Sequence, residues 1–360
     1  MRIVGNLDVE TTWARIDAAA RRGRGESAPS PDDPRFALPE PVMRKISAAA
    51  TLLRVFAALS DDCVLWTPRA VDPSRMALDT FWMPKVRLVS GAMPATADMW
   101  WGEPTEVAAR VNHRLFAWEA KVRHRQPRLP GGTIVRSIDD LERAASDFLG
   151  RAGPEPWVAK APLSAAGRLR VRGAGELAEK ERFQAQRLLE LQGVLLFEPW
   201  MKRVMDFGVG GHVFDSHTTI GGIHGLQVDQ RGRFTGISDF VAGLDASQGL
   251  SIGVAAAQAG ESLRAAGYFG PYTIDGYAFV AGEGSDLQCI SEINARTTFG
   301  DVAARIIDMA RDTMPEVAGA ESVTLRFGRG TPPDGTISLL LPGADDDTSA
   351  WLETPARHGM

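Results

Sequence analysis

The segment Ser291-Glu292-Ile293-Asn294 constrains most strongly what this chain can fold into. It directly follows Leu287-Gln288-Cys289-Ile290, a run that is typical of a β-strand. Strand residues two positions apart point their side chains to the same face of the sheet. Glu292 and Asn294 therefore present a carboxylate and an amide oxygen side by side.

A second carboxylate is predicted to lie beside these two groups. Tyr272-Thr273-Ile274 is interpreted as a strand that Asp275 closes, and residues 282–286 are interpreted as a hairpin turn. A hairpin of this kind brings Asp275 alongside Glu292 and Asn294. Hard oxygen ligands on one rigid surface suit Mg²⁺ held jointly by protein and phosphate. A Glu and an Asn on the solvent face of an edge strand need no metal, so the rest of the chain must decide between these interpretations.

Composition excludes several classes of protein. The 360 residues predict two or three domains with ample core, and the formal net charge of −5 gives no basic footprint for nucleic acid. No apolar run approaches membrane-spanning length, and no signal-peptide pattern opens the chain. The two cysteines, Cys63 and Cys289, lie far apart, which indicates a reducing, cytoplasmic environment.

The N-terminal third alternates predicted strands with helices. Residues 2–6, 63–66 and 86–89 are predicted strands, and residues 43–59 carry apolar side chains at helical spacing. This alternation favours a parallel sheet. The region contains neither a dinucleotide-binding glycine fingerprint nor a P-loop. Trp82, Trp100 and Trp101 are interpreted either as packing between domains or as the wall of a substrate pocket.

The next segment contains the candidate phosphate-binding cations. Residues 106–122 are predicted to form one helix carrying Arg114, and Ser137 is predicted to cap another helix. Trp157-Val158-Ala159-Lys160 is a predicted strand ending in lysine, followed by a small-residue loop over residues 161–173. Arg168, Arg170 and Arg172 alternate within it and should share one face. Such a loop can bind phosphate through backbone N–H groups and arginines, or it can be a solvated basic strand edge.

Residues 181–201 combine a helix, a buried strand and a hinge. The helix is predicted to end at Gly193, and the strand leads into Glu198-Pro199-Trp200-Met201. A strand that runs into a proline-containing hinge leaves backbone groups unpaired, and these groups can read an adenine edge.

Antiparallel strands are predicted to follow Asp206. Turns are predicted at Asp215, at Gly221-Gly222 and over residues 229–232, and His212, His217 and His224 are interpreted as structural. Helices are predicted over residues 252–266 and 301–314, and closing strands over residues 323–327 and 336–341. The acidic stretch from Asp345 onward is predicted to be a frayed tail.

The order and spacing of these pieces resemble the ATP-grasp superfamily over roughly residues 110 to 315. The resemblance implies an α/β and α+β fold, with a Rossmann-like N-terminal (pre-ATP-grasp) domain followed by a two-subdomain ATP-grasp fold. The implied division is residues 1–110 for the Rossmann-like domain and 111–200 for the small subdomain with its phosphate loop. Residues 201–320 would form the large subdomain with the metal site, and residues 321–360 the C-terminal strands and tail.

The resemblance also implies roles for individual residues. ATP would be bound by Arg114, Lys160, Ser164, Gly167, Glu198, Pro199, Trp200, Met201 and Asp206, with residues 164–173 as a flexible flap. Mg²⁺, or Mn²⁺ in its place, would be bound by Asp275, Glu292 and Asn294. The implied catalytic cations are Arg296, Lys160 and Arg168. Many ligases of this family carry arginine two residues before the first metal aspartate, but Thr273 occupies that position here, so Arg296, Arg168 or Arg170 would have to substitute.

The implied activity is ATP- and Mg²⁺-dependent ligation. A small carboxylic acid would be activated as an acyl phosphate and joined to an amine or another nucleophile. A kinase of the same fold and a non-catalytic nucleotide-binding module are the alternatives. The implied partners are small carboxylate and amine substrates, without nucleic acid or membrane, and family members are often homodimers. Residues 6–10 and 98–103 and the segment after Arg296 are expected to line the substrate pocket, although no spacing there identifies the acid or the amine.

Overall fold

The N-terminal region is built on a four-stranded parallel sheet. The computed structural model describes residues 1–57, 62–77, 82–164, 169–229 and 233–355. The elements are β1 (Arg2–Val4), α1 (Val9–Gly23), α2 (Glu40–Ala50), β2 (Val64–Trp66), β3 (Arg87–Val89) and β4 (Met99–Trp100), with short 3₁₀ helices at Pro34–Phe36, Thr51–Phe56 and Pro73–Arg75. The strand order is β3-β2-β1-β4 and every pairing is parallel, which confirms the predicted parallel sheet.

The helix predicted over residues 43–59 is wrong in its second half. The α-helical bonding ends at Ala50, and a 3₁₀ helix follows over Thr51–Phe56. The Thr51 hydroxyl donates a hydrogen bond to the Ala48 carbonyl at 2.6 Å, so the side chain competes locally with α-helical bonding. Residues 58–59 lie outside the described part of the chain.

Two helices replace the single helix predicted over residues 106–122. These are α3 (Glu106–Val111) and α4 (Arg114–Arg123), and the break falls at Asn112-His113. His113 caps α4, because its Nδ1 accepts a hydrogen bond from the Leu115 backbone N–H at 3.2 Å. The break places Arg114 at the first residue of α4.

A second four-stranded sheet lies between residues 133 and 199. Its elements are β5 (Thr133–Val135), α5 (Ile138–Ala152), β6 (Pro156–Lys160), β7 (Arg170–Ala174), α6 (Glu179–Gln192) and β8 (Leu195–Pro199). The strand order is β5-β8-β6-β7, with antiparallel pairing throughout. The predicted caps are confirmed: the Ser137 hydroxyl accepts from the Asp140 backbone N–H at 3.1 Å, and Gly193 ends α6 with φ 74°.

The loop predicted over residues 161–173 is partly a strand. β7 pairs with β6 and places Arg170 opposite Lys160, so the flap expected over residues 164–173 has an ordered, hydrogen-bonded end. Gly173 pairs with Trp157 in β6, and a Cβ there would collide with the Trp157 ring, so close packing between the two strands accounts for this glycine. Gly167 and Arg168 lie outside the described residues.

The largest sheet has eight strands and contains most of the remaining chain. Its elements, with three helices, are β9 (Arg203–Val213), β10 (Thr218–Val228), β11 (Phe234–Ser238), α7 (Ala246–Ala265), β12 (Gly270–Ala281), β13 (Gly284–Asn294), α8 (Phe299–Thr313), α9 (Pro315–Ala318), β14 (Thr324–Arg329), β15 (Ile337–Leu340) and β16 (Thr348–Glu353). The strand order is β13-β12-β9-β10-β11-β14-β16-β15, and every pairing is antiparallel.

Two predictions in this region are wrong. Gly221-Gly222 is not a turn, because β10 continues through it with a local register shift against β9. Up to residue 355 the acidic stretch is not a frayed tail, because β16 pairs with both β14 and β15; residues 356–360 lie outside the described part of the chain. Arg75 anchors it by donating to Asp346 at 3.0 Å and to the Thr348 carbonyl at 2.8 Å.

One hydrophobic core joins the N-terminal region to the C-terminal strands. Ile3 and Leu65 of the parallel sheet belong to the same buried cluster as Val302 of α8 and Leu325 of β14. This shared packing fixes the N-terminal region against α8 and the β11-β14-β16-β15 part of the large sheet. Within the described residues, no helix combines the length and the apolar character needed to cross a bilayer.

Candidate active site

The β12–β13 hairpin assembles the three predicted oxygen ligands. Asp275 and Glu292 lie directly opposite each other in the antiparallel register, as predicted. Asn294 donates from its Nδ2 to Asp275 Oδ2 at 2.9 Å. Two carboxylates and one carboxamide therefore converge on one surface of the hairpin.

The electrostatics of this surface fit a divalent cation. Burial, followed by the charge of Glu292, raises the pKa of Asp275 to about 7. Among the described residues, no cluster of three or more His, Cys, Asp or Glu side chains is arranged to bind a metal. Mg²⁺ is commonly bound by one or two carboxylates plus substrate phosphates and water, which is the donor set that Asp275, Glu292 and Asn294 offer.

Arg114 connects this surface to Ser164 in the segment that is predicted to bind phosphate. Its Nη2 donates to both Glu292 carboxylate oxygens at 3.1 Å, and its Nη1 donates to Ser164 Oγ at 2.9 Å. The side chain is buried. In this state Arg114 neutralises a proposed metal ligand, and a bound phosphate would compete for the same guanidinium.

Lys160 is held by a buried carboxylate. Its Nζ donates to Glu198 Oε2 at 2.6 Å, while Lys121 Nζ lies 3.9 Å from Glu198 Oε1. Burial opposes ionisation of Glu198, but Lys160, Lys121 and Arg114 outweigh it and hold the pKa of the Glu198 carboxyl below its usual range. Burial lowers the pKa of Lys121. Glu198 thus binds both lysines and fixes their position.

Arg296 bridges the hairpin surface and the N-terminal region. Its Nη2 lies 2.9 Å from Glu10 Oε1 and 3.4 Å from Asn294 Oδ1. The guanidinium carbon lies 5.0 Å from the centroid of the Trp101 ring, and Trp101 packs on Phe299 at 4.9 Å between ring centroids. Trp101 therefore packs between regions and also lines a cavity, while its part in a substrate pocket stays a prediction.

A cavity of about 360 Å³ collects these side chains. Eight of the predicted site residues line it, and they are Arg114, Lys160, Ser164, Asp206, Asp275, Glu292, Asn294 and Arg296. The cavity is also lined by Leu7, Glu10, Ile46 and Trp101 from the N-terminal region, and by Thr298, Phe299 and Gly300 around the start of α8. The loops expected to form the substrate pocket thus reach the same cavity as the predicted nucleotide and metal residues.

The predicted adenine hinge borders a neighbouring cavity of about 500 Å³. Trp200 and Met201 line it, and it shares Arg170, Arg203 and Asp206 with the first cavity. The Arg172 guanidinium lies 3.8 Å from the Trp200 ring centroid and that of Arg170 lies 5.2 Å away, so these two alternating arginines do share one face. Burial raises the pKa of Asp206 despite its ion pair with Arg203.

The hinge differs from expectation at its first two residues. Glu198 and Pro199 belong to β8 and are buried, and Glu198 binds Lys160 and Lys121.

Thr273, which occupies the position of the family's arginine, shares a 2.9 Å hydrogen bond with Thr298. Sequence reasoning missed Lys121 as a partner of Glu198 and did not assign Glu10 to Arg296, because no local pattern connects residues so far apart in the chain.

The comparisons with known proteins identify the fold. A scan against family models and a search of curated proteins find no match for this sequence. Solved structures of ATP-grasp superfamily members match nearly the whole chain, so the protein has the ATP-grasp fold that the sequence resembles.

Three of these structures illustrate the likeness. The biotin carboxylase domain of a 2-oxoglutarate carboxylase from Hydrogenobacter thermophilus, solved as a dimer with MgADP, ADP and bicarbonate, matches at TM-score 0.58 and 12% identity, covering 98% of this chain and 85% of that one. Biotin carboxylase from Campylobacter jejuni matches at 0.55 and 11%, covering 98% and 86%. N5-carboxyaminoimidazole synthetase from Staphylococcus aureus with ADP matches at 0.53 and 10%, covering 99% and 92%. At such identities the likeness establishes the fold alone.

Proposed function

We propose that this protein is an ATP- and Mg²⁺-dependent ligase that activates a carboxylic acid as an acyl phosphate. The observation that carries the proposal is the convergence of Lys160, Arg114 and Arg296 with Asp275, Glu292 and Asn294 on one cavity. The similarity to nucleotide-bound ATP-grasp structures supports ATP as the nucleotide.

Nucleotide binding would use both cavities. Trp200 and Met201 would contact the adenine, with Asp206 near the ribose at the boundary shared by the two cavities. Lys160, Arg114 and Ser164 would contact the phosphates. Both cations would have to exchange a carboxylate partner for phosphate, since Lys160 is bound to Glu198 and Arg114 to Glu292.

Asp275, Glu292 and Asn294 would hold the magnesium ion, which when bound neutralises and orients phosphate oxygens. The chain's own residues provide the remaining charge compensation. An ionised Asp275 beside Glu292 is costly in this buried position, and a cation relieves that cost. Arg296, adjacent to Asn294, would stabilise charge that develops on the transferred phosphoryl group.

The proposed reaction has two steps. A carboxylate oxygen of the acid attacks the γ-phosphorus of ATP, the bond from that phosphorus to the β,γ-bridging oxygen breaks, and ADP leaves. An amine, or another nucleophile, then attacks the carbonyl carbon of the acyl phosphate, phosphate departs with the C–O bond electrons, and the nucleophile loses a proton. The protein contributes positioning and electrostatic stabilisation and forms no covalent intermediate with the substrate.

Hydroxylamine trapping tests this proposal without knowledge of the natural nucleophile. The full chain is incubated with ATP, Mg²⁺, hydroxylamine and a panel of amino acids and simple carboxylic acids, and both ADP and the acyl hydroxamate are measured. We expect hydroxamate in proportion to ADP for at least one acid. The variant Glu292→Gln should lower turnover by about 100-fold or more, because it removes a charged metal ligand.

Glu119→Gln is the matched control, because Glu119 is exposed on α4 and should keep wild-type turnover. Two results would contradict the proposal. A phosphorylated hydroxyl compound in place of any acid-derived product would indicate a kinase of the same fold. Tight ATP binding without turnover, together with a Glu292→Gln variant that keeps its biological activity, would indicate a non-catalytic nucleotide-binding module.

A further inference from the structure

Glu10 has a buried carboxylate oxygen that no group in the described parts of the chain satisfies. Its Oε1 lies 2.9 Å from Arg296 Nη2, but its Oε2 is buried without a hydrogen-bond partner among those residues. Only 10% of the Glu10 side chain is exposed. A buried acceptor in this condition is costly, and a ligand that donates to it removes the cost.

Glu10 lies near the point of the N-terminal sheet at which parallel sheets of this kind bind ligands. The strand order β3-β2-β1-β4 reverses between β1 and β4, and in open parallel sheets ligands bind at such a switch point, beyond the carboxyl ends of the strands. Glu10 lies in the first turn of α1, which follows β1, where the helix N-terminus favours a negative charge. Asn6 donates to the Gly102 carbonyl at 2.8 Å and so connects the loops after β1 and β4.

The cavity that Glu10 lines offers a ligand two further kinds of contact. Leu7, Ile46 and Trp101 provide apolar surface in the same cavity. Arg296 provides a guanidinium whose Nη2 already reaches both Glu10 and Asn294, so it faces the proposed metal surface as well as the N-terminal region. A substrate carboxylate bound to Arg296 would lie between this apolar surface and the phosphates of the nucleotide.

We propose that the acid activated by this enzyme is an apolar α-amino acid, with Glu10 as the residue that recognises its ammonium group. The carboxylate would bind Arg296 beside the metal surface, and the side chain would pack on Leu7, Ile46 and Trp101. This inference rests on the proposed ligase function and adds the substrate class.

The chemistry assigns the amino acid to the first of the two substrate roles. An ammonium group held by the Glu10 carboxylate is protonated and therefore is not the attacking amine. Its own carboxylate, placed at Arg296, is the group that attacks the γ-phosphorus, with ADP as the leaving group. The pair Glu10–Arg296 matches the charge pattern of the zwitterion, so binding exchanges one internal ion pair for two intermolecular ones.

The test uses amino acids and their desamino analogues, which share the apolar part and the carboxylate. The probes are L-leucine with 4-methylpentanoate and L-phenylalanine with 3-phenylpropanoate, each with ATP, Mg²⁺ and hydroxylamine. For the wild-type enzyme we expect hydroxamate from an amino acid with a kcat/KM at least tenfold above that of its analogue. Glu10→Gln should lower kcat/KM for the amino acid by about 100-fold, mainly through KM, and change the value for the analogue by less than about threefold.

Glu26→Gln in the same region is the control, since Glu26 is exposed and pairs only with Arg24 among the described residues; it should behave as wild type. A second measurement on the wild-type protein does not depend on a folded variant. With Mg²⁺ and a non-hydrolysable ATP analogue bound, L-leucine or L-phenylalanine should raise the melting temperature more than its desamino analogue.

The outcomes separate this inference from the proposed function. Hydroxamate from desamino acids only, or an equal loss for both probe classes in Glu10→Gln, would overturn the amino acid assignment and leave the ligase in place. An equal shift of melting temperature for both probe classes would overturn it too. Absence of hydroxamate with every acid, although ATP binds, would instead refute the ligase function on which the assignment rests.

Discussion

The two sides of the candidate site differ in how the chain builds them. The anionic side comes from a single hairpin, in which Asp275, Glu292 and Asn294 are brought together by one turn and one register. The cationic side takes Arg114 from α4, Lys160 from β6 and Arg296 from the segment after β13. Each of these cations is bound to a carboxylate, while the two hairpin carboxylates lie opposite each other.

This difference implies that the two sides differ in charge before a ligand binds. The hairpin concentrates negative charge and gains stability when a cation arrives. The cations are already neutralised, so in the proposed site the nucleotide would replace the partners of Lys160 and Arg114, which contributes selectivity rather than raw affinity.

The largest effect is expected on the cationic side. Lys160→Met should lower kcat/KM for ATP by roughly 10²- to 10³-fold, the loss typical of removing one preorganised charge from a developing anion. Lys121→Met is the matched comparison, because Lys121 also approaches Glu198 but does not line the cavity of about 360 Å³. Its turnover should stay within about fivefold of wild type, since the Lys160 ammonium that would contact the phosphates is retained.

Steady-state ATPase assays with a hydroxylamine trap measure both variants. Equal losses in the two variants would mean that the lysines act only through Glu198 as a structural pair. In that case the phosphate contact assigned to Lys160 would be incorrect.

The next largest effect is expected from a substitution that disturbs the register of the β12–β13 hairpin. A Cβ at Gly276 would lie 2.5 Å from Phe207 Cζ and 2.7 Å from the Cys289 carbonyl oxygen, distances at which the strands have to move apart. Gly276→Ala should therefore destabilise the protein by about 2 kcal/mol and weaken the Mg²⁺ effect on stability, since it disturbs the pairing of Asp275 with Glu292. Denaturant unfolding with and without Mg²⁺ measures both.

Gly284→Ala in the same hairpin is the control, because an added Cβ there meets no atom within 4 Å. It should leave stability and the Mg²⁺ effect unchanged. If Gly276→Ala were equally silent, the tight contact with Phe207 would not be what fixes the hairpin register.

The same contrast explains which features the sequence could predict. Spacing within a strand, together with a nearby turn, is local information, and it correctly paired Asp275 with Glu292 and Asn294. The break before Arg114 depends on His113 capping α4, and the Glu10–Arg296 pair depends on how the N-terminal region packs; neither leaves a periodic signal. The domain boundaries and the roles of the site residues remain predictions.

The smallest effect concerns the pH dependence of the hairpin. Burial and Glu292 raise the pKa of Asp275 to about 7, against about 3.9 for an unperturbed aspartate, so the folded protein retains a proton that the unfolded chain releases. The contribution of Asp275 to metal-free stability is therefore fully present below about pH 4 and is lost as the pH rises through about 7. Mg²⁺ binds the ionised form, so the stabilisation by Mg²⁺ should grow over the same window.

Asp275→Asn separates these contributions. At pH 8 it should stabilise the metal-free protein by about 1–2 kcal/mol, because it removes a buried charge that faces Glu292, and it should abolish the pH-dependent response to Mg²⁺. Asp286→Asn is the control, since Asp286 is exposed in the same hairpin. Melting curves at pH 6, 7 and 8 with and without Mg²⁺ measure the effect. A wild-type Mg²⁺ response that does not change with pH would mean that Asp275 is already ionised in the metal-free protein. The repulsion between Asp275 and Glu292 would then not be what distinguishes the hairpin from the cationic side.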